Sequence, residues 1–350
     1  MAATASPRSD ALAGFLAAAS GAGAVEVTAL APLRGGAIQE NWAVDADFDG
    51  GKLAGRQPLV LRAAAATGVP SSLGRIEEFA VLQAAFAAGV TVPEPLFACS
   101  DPRIFGKPFF VMRRVAGTAA PHRITRDRGL DPQLPAIAER LGRELALIHT
   151  IRPPRRDLAF LPVPDMVGPV RQIVGLRAYL DAHSAPRPVL EWALAWLAAN
   201  LPPAVAPVLC HHDFRTGNYM LDIGPARTEL TGILDWEFAG WGDPDEDIGW
   251  FCCKGWRFAR LDREAGGIAA RGPFYRGYEE ASGRRLDPAQ VFFWEVMASV
   301  RWAVIALQQA ERYMLKGERN LDLALTGRRA SECELELLML LDPGGAPADA

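Results

Sequence analysis

His211-His212-Asp213-Phe214-Arg215-Thr216-Gly217-Asn218, followed across a short hairpin by Gly232-Ile233-Leu234-Asp235-Trp236-Glu237, decides how this 350-residue chain is read. Transfer of a phosphoryl group needs a side chain that orients a hydroxyl and accepts its proton. It also needs oxygen ligands that hold Mg2+ on the nucleotide phosphates. A kinase loop meets both needs with an Asp, an Asn five residues on, and a second Asp at a strand end. Asp213, Asn218 and Asp235 have that order and that spacing. Singly, each is an ordinary turn former or strand-end cap. Together they point to metal-assisted transfer to a hydroxyl.

The rest of the chain sets bounds on that reading. Half of the residues are hydrophobic and 22% are charged, which suits a globular chain able to bury a sizeable core. The net charge of −4 gives no electrostatic footprint for nucleic acid. Of the 37 basic residues only Lys52, Lys107, Lys254 and Lys316 are lysines, so any role that calls for a lysine at one place is tested hard. Five cysteines, two of them adjacent and none in a C-x-x-C pair, suggest neither a disulfide framework nor a zinc site. A reducing, cytoplasmic setting is expected. The apolar run at residues 291–307 is broken by Glu295 and Arg301 and reads as a buried helix rather than a membrane span. No membrane or nucleic-acid partner is expected, and the chain reads as a monomer or homodimer. G-x-x-x-x-G-K-[ST], G-x-S-x-G, H-E-x-x-H and G-x-G-x-x-G are all absent.

Along the chain, residues 11–19 read as an amphipathic first helix. Residues 42–46 and 58–62 alternate as strands around the turn Asp49-Gly50-Gly51. Residues 75–88 form a helix with an apolar face of Ile76, Phe79, Val81, Leu82 and Phe86, which Gly89 ends. Residues 109–112 are a continuous apolar strand closed by Ala116-Gly117. Past residue 117 the pattern turns helical, at 134–149, at 189–200 and from 287 onward, around one hairpin at 218–235. The tryptophans of the second half are expected to be mostly core.

His211 to Asn218, Leu234-Asp235-Trp236-Glu237, Gly242-Asp243-Pro244 and Asp247 together resemble the aminoglycoside phosphotransferase family of small-molecule kinases. More narrowly, they resemble the branch whose domains occur alone in bacteria or fused to acyl-CoA dehydrogenases. The similarity covers nearly the whole chain, including Gly35-Gly36-Ala37-Ile38-Gln39-Glu40-Asn41-Trp42 and Pro108 to Gly117. It implies an α+β, two-lobed, protein-kinase-like fold. A small, mainly antiparallel N-lobe at residues 1–116 would clamp the nucleotide, a larger helical C-lobe at 117–340 would carry catalysis and the acceptor, and 341–350 would be a loose tail.

The resemblance also implies roles. Asp213 would be the catalytic Asp, with His211 bracing the loop and Arg215 beside it, while Asn218 and Asp235 would be Mg2+ ligands and ATP the co-substrate. His212 stands where the family usually has Gly; its imidazole either faces solvent or reaches the substrate. Arg62 takes the place of the usual phosphate-binding lysine, as in this branch, and can bind phosphate bidentately. Glu78 is the candidate partner of Arg62 and Glu77 its rival. Gly35 and Gly36 would let backbone N–H groups approach phosphate, with Gln39 and Asn41 as further donors. Adenine would meet the backbone around Met112, Arg113 and Val115.

Asp243 reads as an N-cap with Pro244 in the first turn. Either Asp243 or Asp247 would accept hydrogen bonds from the catalytic-loop backbone, and Glu237 forms a salt bridge or reaches a metal or the substrate. Arg301 calls for an internal ion pair. The expected activity is ATP-dependent phosphorylation of a hydroxyl on a small metabolite, for instance a hydroxyacyl thioester. A nucleotide-binding scaffold without turnover and an aminoglycoside-modifying enzyme stay open as alternatives.

Overall fold

A computed structural model of the chain describes residues 7–33, 40–64, 72–163, 168–183, 185–224, 226–318 and 320–342. In chain order the elements are α1 (Pro7–Ser20), β1 (Ala24–Pro32), β2 (Glu40–Asp49), β3 (Gly55–Ala63), α2 (Arg75–Ala87), β4 (Pro95–Cys99), α3 (Pro102–Phe105), β5 (Phe109–Arg113), α4 (Pro121–Arg126), α5 (Leu134–Ile148), α6 (Gly168–Ala182), α7 (Pro188–Ala199) and β6 (Val208–Cys210). Then come β7 (Tyr219–Ile223), β8 (Thr228–Ile233), β9 (Gly240–Gly242), α8 (Pro244–Cys252), α9 (Arg271–Ser282), α10 (Pro288–Met314), α11 (Leu321–Gly327) and α12 (Arg329–Leu341). They fall into two compact units. One takes in residues 1–120, 154–161 and 217–239, the other 121–153, 162–216 and 240–350.

The first unit is built on an antiparallel sheet of order β1-β2-β3-β5-β4. Side chains alternate between the faces of a strand, and β3 shows what that does here. Leu59, Leu61 and Ala63 enter one apolar cluster with Leu12 and Leu16 of α1 and with Phe109 and Val111 of β5. The opposite face carries Arg62, directly paired with Phe110, whose ring lies 5.8 Å from that of Phe79 on α2. All five residues from Leu59 to Ala63 are therefore buried, a charged one among them.

Helix α2 differs from its expected face. Ile76 and Phe86 are exposed, and Arg75 and Glu78 are buried in their place. At 100° per residue the inward stripe passes through 75, 78, 79 and 82, which leaves Ile76 on its outer edge. The β7–β8 hairpin belongs to the same unit through a bridge between Thr118 and Leu221. Gly117 makes this possible. Its φ is +115°, and a Cβ there would sit 2.3 Å from the Leu221 carbonyl oxygen.

The second unit is helical. Val296, Met297, Val300, Val304 and Leu307 of α10 meet Leu190, Leu194 and Leu197 of α7, Ile173 and Leu180 of α6, and Ala330 and Leu337 of α12. By length and composition α10 could cross a membrane, but 72% of its apolar window is buried. Helices α6 and α9 have no counterpart in the expected pattern, since Gly, Pro and Arg interrupt the apolar spacing of both. Trp192 departs from the expected core, lying 41% exposed on α7. All five cysteines are free and buried. The short antiparallel pair β6–β9 sets the ends of two loops side by side. It places His211 directly after one strand and Asp243 directly after the other, at the start of α8.

Candidate active site

The loop after β6 is held by α8 from below. Asp247, fully buried, accepts the backbone N–H of His211 at 2.7 Å and that of His212 at 2.7 Å. Burial alone would raise the Asp247 carboxyl. The hydrogen bond from His149, with the neighbouring imidazoles, outweighs it and brings the group down to about 2. Asp243 caps the helix instead, accepting the Asp245 N–H at 2.9 Å. Its carboxyl is pushed up to about 7, chiefly by burial, with the charges of Asp245 and Glu246 adding to the rise. Of the two carboxylates expected to serve the loop, Asp247 does so.

Two side chains donate to one oxygen of Asp213. Its Oδ1 accepts the Trp250 indole N–H at 3.0 Å and the Arg215 Nε at 3.0 Å. Its backbone N–H lies 3.3 Å from Nδ1 of His211, a fully buried ring packed edge-on against Phe214. Thr216, also fully buried, donates to the Gly266 carbonyl at 2.7 Å and closes the loop.

His212 occupies left-handed backbone, φ 60°, which explains why glycine is at ease in this place. Its imidazole neither points to water nor stands alone. It lies 3.4 Å from the Glu246 carboxylate, with only 13% of the side chain exposed. A Cβ at Gly242 would meet its Nε2 at 2.8 Å, so the ring fits because the facing strand residue has no side chain. Burial pulls the imidazole pKa down, yet Glu246 more than reverses this and the net shift is upward. Arg301 donates to the His212 carbonyl at 2.9 Å, lies 3.5 Å from Glu246, and stacks on Trp250 at 4.6 Å. This is the ion pair its apolar helix requires.

In the first unit the central group is Arg62. Its Nε donates to Glu78 at 3.1 Å, and Nη2 pairs with Asp235. Glu78 is buried, whereas Glu77 is half-buried and plays no part in this pair. Burial lowers a guanidinium pKa, but Glu78 and Asp235 together raise that of Arg62, and the group stays cationic. Asp235 lies two residues beyond β8 in left-handed backbone, φ 67°, with 29% of its side chain exposed. The Asn218 carbonyl accepts the Leu234 N–H at 2.8 Å, which ties both ends of the hairpin together. Glu237 accepts from Ser72 at 2.5 Å and lies 3.5 Å from Arg75, so it is a salt-bridged anchor.

Asn41 is directly paired with Arg62 across β2 and β3. Gly35, Gly36 and Gln39 lie outside the described residues. Met112 pairs with Val60. The Arg113 N–H donates to Glu94 at 3.0 Å and the Arg114 N–H to Pro58 at 3.1 Å, while the Val115 N–H has no backbone acceptor among the described residues. The side chain of Arg113 turns to Glu94 and Gln57.

Asn218 and Asp235 offer an amide and a carboxylate, hard oxygen donors of the kind Mg2+ takes. A second cluster, His149, Cys210 and Asp247, has its ligand atoms within 4.8 Å of one another. The Asp247 oxygens there already take three donors, so this cluster is a structural anchor.

Several partners escape a reading by motif. Trp250 lies three positions past Asp247, hence on the same face of α8. Arg75 lies three before Glu78 on α2 and pairs with it. Helical spacing could have found both; Glu246 beside His212 and Ser72 beside Glu237 had no comparable signal.

A family model described as the phosphotransferase enzyme family matches residues 29–285. The chain is 31% identical over 206 residues to acyl-CoA dehydrogenase family member 10 of Mus musculus, covering 57% of this chain and 18% of that one. It is 34% identical over 177 residues to acyl-CoA dehydrogenase family member 11 of Gallus gallus, covering 49% and 22%. The chain thus spans about a fifth of the length of these curated relatives. A solved structure from Ralstonia eutropha, assigned to the aminoglycoside phosphotransferases, superposes with a TM-score of 0.73 at 21% identity, covering 95% of this chain and 97% of that one.

Proposed function

Since the chain belongs to the phosphotransferase enzyme family and shares its kinase-like fold, we propose that it moves the γ-phosphoryl group of ATP onto a hydroxyl of a small metabolite. The observation that carries this reading is the buried Arg62, a cation held by Glu78 and by Asp235, a proposed Mg2+ ligand; it would neutralise charge on the nucleotide phosphates. Residues 1–116 would clamp the nucleotide, and 117–340 would carry the catalytic loop and the acceptor. Asn41 and the Val115 N–H are the nucleotide contacts favoured among the described residues. Asn218 and Asp235 would hold Mg2+, which when bound neutralises phosphate charge.

Asp213 orients the acceptor hydroxyl and takes its proton. The acceptor oxygen bonds to the γ-phosphorus as the bond to the β-phosphate oxygen breaks, ADP leaves, and the proton passes from Asp213 to water. Positioning and charge neutralisation supply most of the acceleration.

The favoured acceptor is a hydroxyacyl thioester. Two observations support it over a polycationic antibiotic: the acyl-CoA dehydrogenase names of the curated relatives, and the two guanidinium groups, Arg215 and Arg301, beside the Asp213–Trp250 pair. ATP consumption on panels of hydroxyacyl-CoA thioesters and aminoglycosides, with wild type and Asp213→Ala, tests the reading. Turnover of the thioesters by wild type alone is expected. Turnover of aminoglycosides alone would overturn the acceptor, and equal rates in both proteins would favour a scaffold.

A further inference from the structure

We propose that Trp250 is a positioning residue for Asp213, and that Arg301 holds Trp250 in that role; the inference rests on Asp213 being the catalytic Asp. A buried tryptophan is ordinarily core, and its N–H takes whatever acceptor is near. Here the choice of acceptor is selective. Trp236 donates to a backbone carbonyl, that of Ile233, at 3.2 Å. Trp256 and Trp294 leave their buried indole N–H groups without a partner among the described residues. Trp250, 2% exposed, donates to the Asp213 carboxylate at 3.0 Å.

The geometry gives that bond a purpose. Trp250 and Arg215 both donate to Oδ1. With two donors on one oxygen, the rotation that would exchange Oδ1 and Oδ2 is closed, and the carboxylate presents a fixed edge. Asp247 and Trp250, three residues apart on α8, therefore grip the same loop twice, one by its backbone and the other by its working side chain. Arg301 completes the brace from α10. Its guanidinium stacks on the indole at 4.6 Å and donates to the His212 carbonyl at 2.9 Å, so the loop and the tryptophan are fixed to one group. Arg215 stacks in turn on Trp256 at 4.5 Å, which aims its Nε at the same oxygen. A preorganised acceptor of the hydroxyl proton needs this kind of support.

Trp250→Phe keeps an aromatic ring under Arg301 and removes the N–H together with the second ring of the indole. With Mg·ATP and the hydroxyacyl-CoA panel, kcat is expected to fall about 10- to 100-fold, the scale of a hydrogen bond to a charged group. KM for ATP should stay near wild type, because the nucleotide contacts remain, while the melting temperature should fall modestly with the ring atoms lost against Trp256 and Trp302. Arg301→Lys should lower kcat in the same direction by less.

A kcat within twofold of wild type in Trp250→Phe would overturn the inference, and so would a loss of kcat matched by a rise in KM for ATP. A wild-type rate no higher than that of Asp213→Ala would overturn the function on which it rests as well. Should Trp250→Phe not fold, amide-region NMR of the wild type decides. A downfield indole N–H signal that is lost in Asp213→Ala is expected, and its persistence would contradict the bond.

Discussion

Arg62 and Glu78 form a buried ion pair, Nε to carboxylate 3.1 Å, in which the arginine also reaches Asp235. Arg62 is thus fixed on both sides, by Glu78 and by Asp235. Removing it strands Glu78 in the interior with Arg75 as its remaining cationic partner. Arg62→Met is expected to cost about 3–5 kcal/mol in urea unfolding, as for other buried pairs that lose one member. Arg62→Lys keeps the charge but not the fork that spans two carboxylates. It should lose less stability and still bind ATP more weakly. Equal stability of all three proteins would contradict the pair.

Asp247 holds the backbone N–H groups of His211 and His212, in the proposed catalytic loop. Asp247→Ala leaves both without that acceptor in a buried site, and each such donor costs about 1–3 kcal/mol. Thermal unfolding should show the loss, and ATP turnover should fall with it. Asp247→Asn offers one acceptor oxygen and should lie between the two.

The raised Asp243 carboxyl makes stability depend on pH. Its folded value, about 7, lies above the ordinary 3.8, so the folded state binds the proton more tightly than the unfolded chain. The contribution is fully present below about pH 4 and is lost as pH rises towards 7. Asp243→Asn keeps an acceptor for the Asp245 N–H and removes the titration. Urea midpoints from pH 4 to 8 should fall less steeply in the variant than in wild type. Parallel curves would contradict the assignment.

His212 combines left-handed backbone with a partly buried pair to Glu246. His212→Ala loses the pair and keeps the strain; His212→Gly loses the pair and relieves it. The glycine variant should therefore be the more stable of the two by about 1 kcal/mol, the cost of left-handed backbone for a residue with a Cβ. An alanine variant at least as stable as the glycine one would show that the backbone there is not strained.

Much of this site is legible in the sequence because loop chemistry is local. The His-x-Asp order, the Asn five residues on and the Asp after the hairpin all lie within 25 residues, and the Asp243-Pro244 start of α8 follows soon after. What the sequence leaves open is which of two neighbours turns inward. Glu78 rather than Glu77, and Asp247 rather than Asp243, are settled by the rotation of a helix against its unit, to which charged residues give no periodic signal. His212 was misjudged for a related reason. The space for its ring comes from Gly242, thirty residues away in the chain and opposite it only once β6 and β9 pair. The exposed Ile76 shows the converse, since an apolar face read from helical spacing overlooked that α2 buries an ion pair.

The most direct test of the whole account is phosphorus NMR of Mg·ATP incubated with the hydroxyacyl-CoA panel, wild type against Asp213→Ala. A new phosphomonoester signal, growing in step with ADP, is expected in the wild-type sample alone. ADP and inorganic phosphate without any phosphomonoester, or the same phosphomonoester formed by Asp213→Ala, would contradict it.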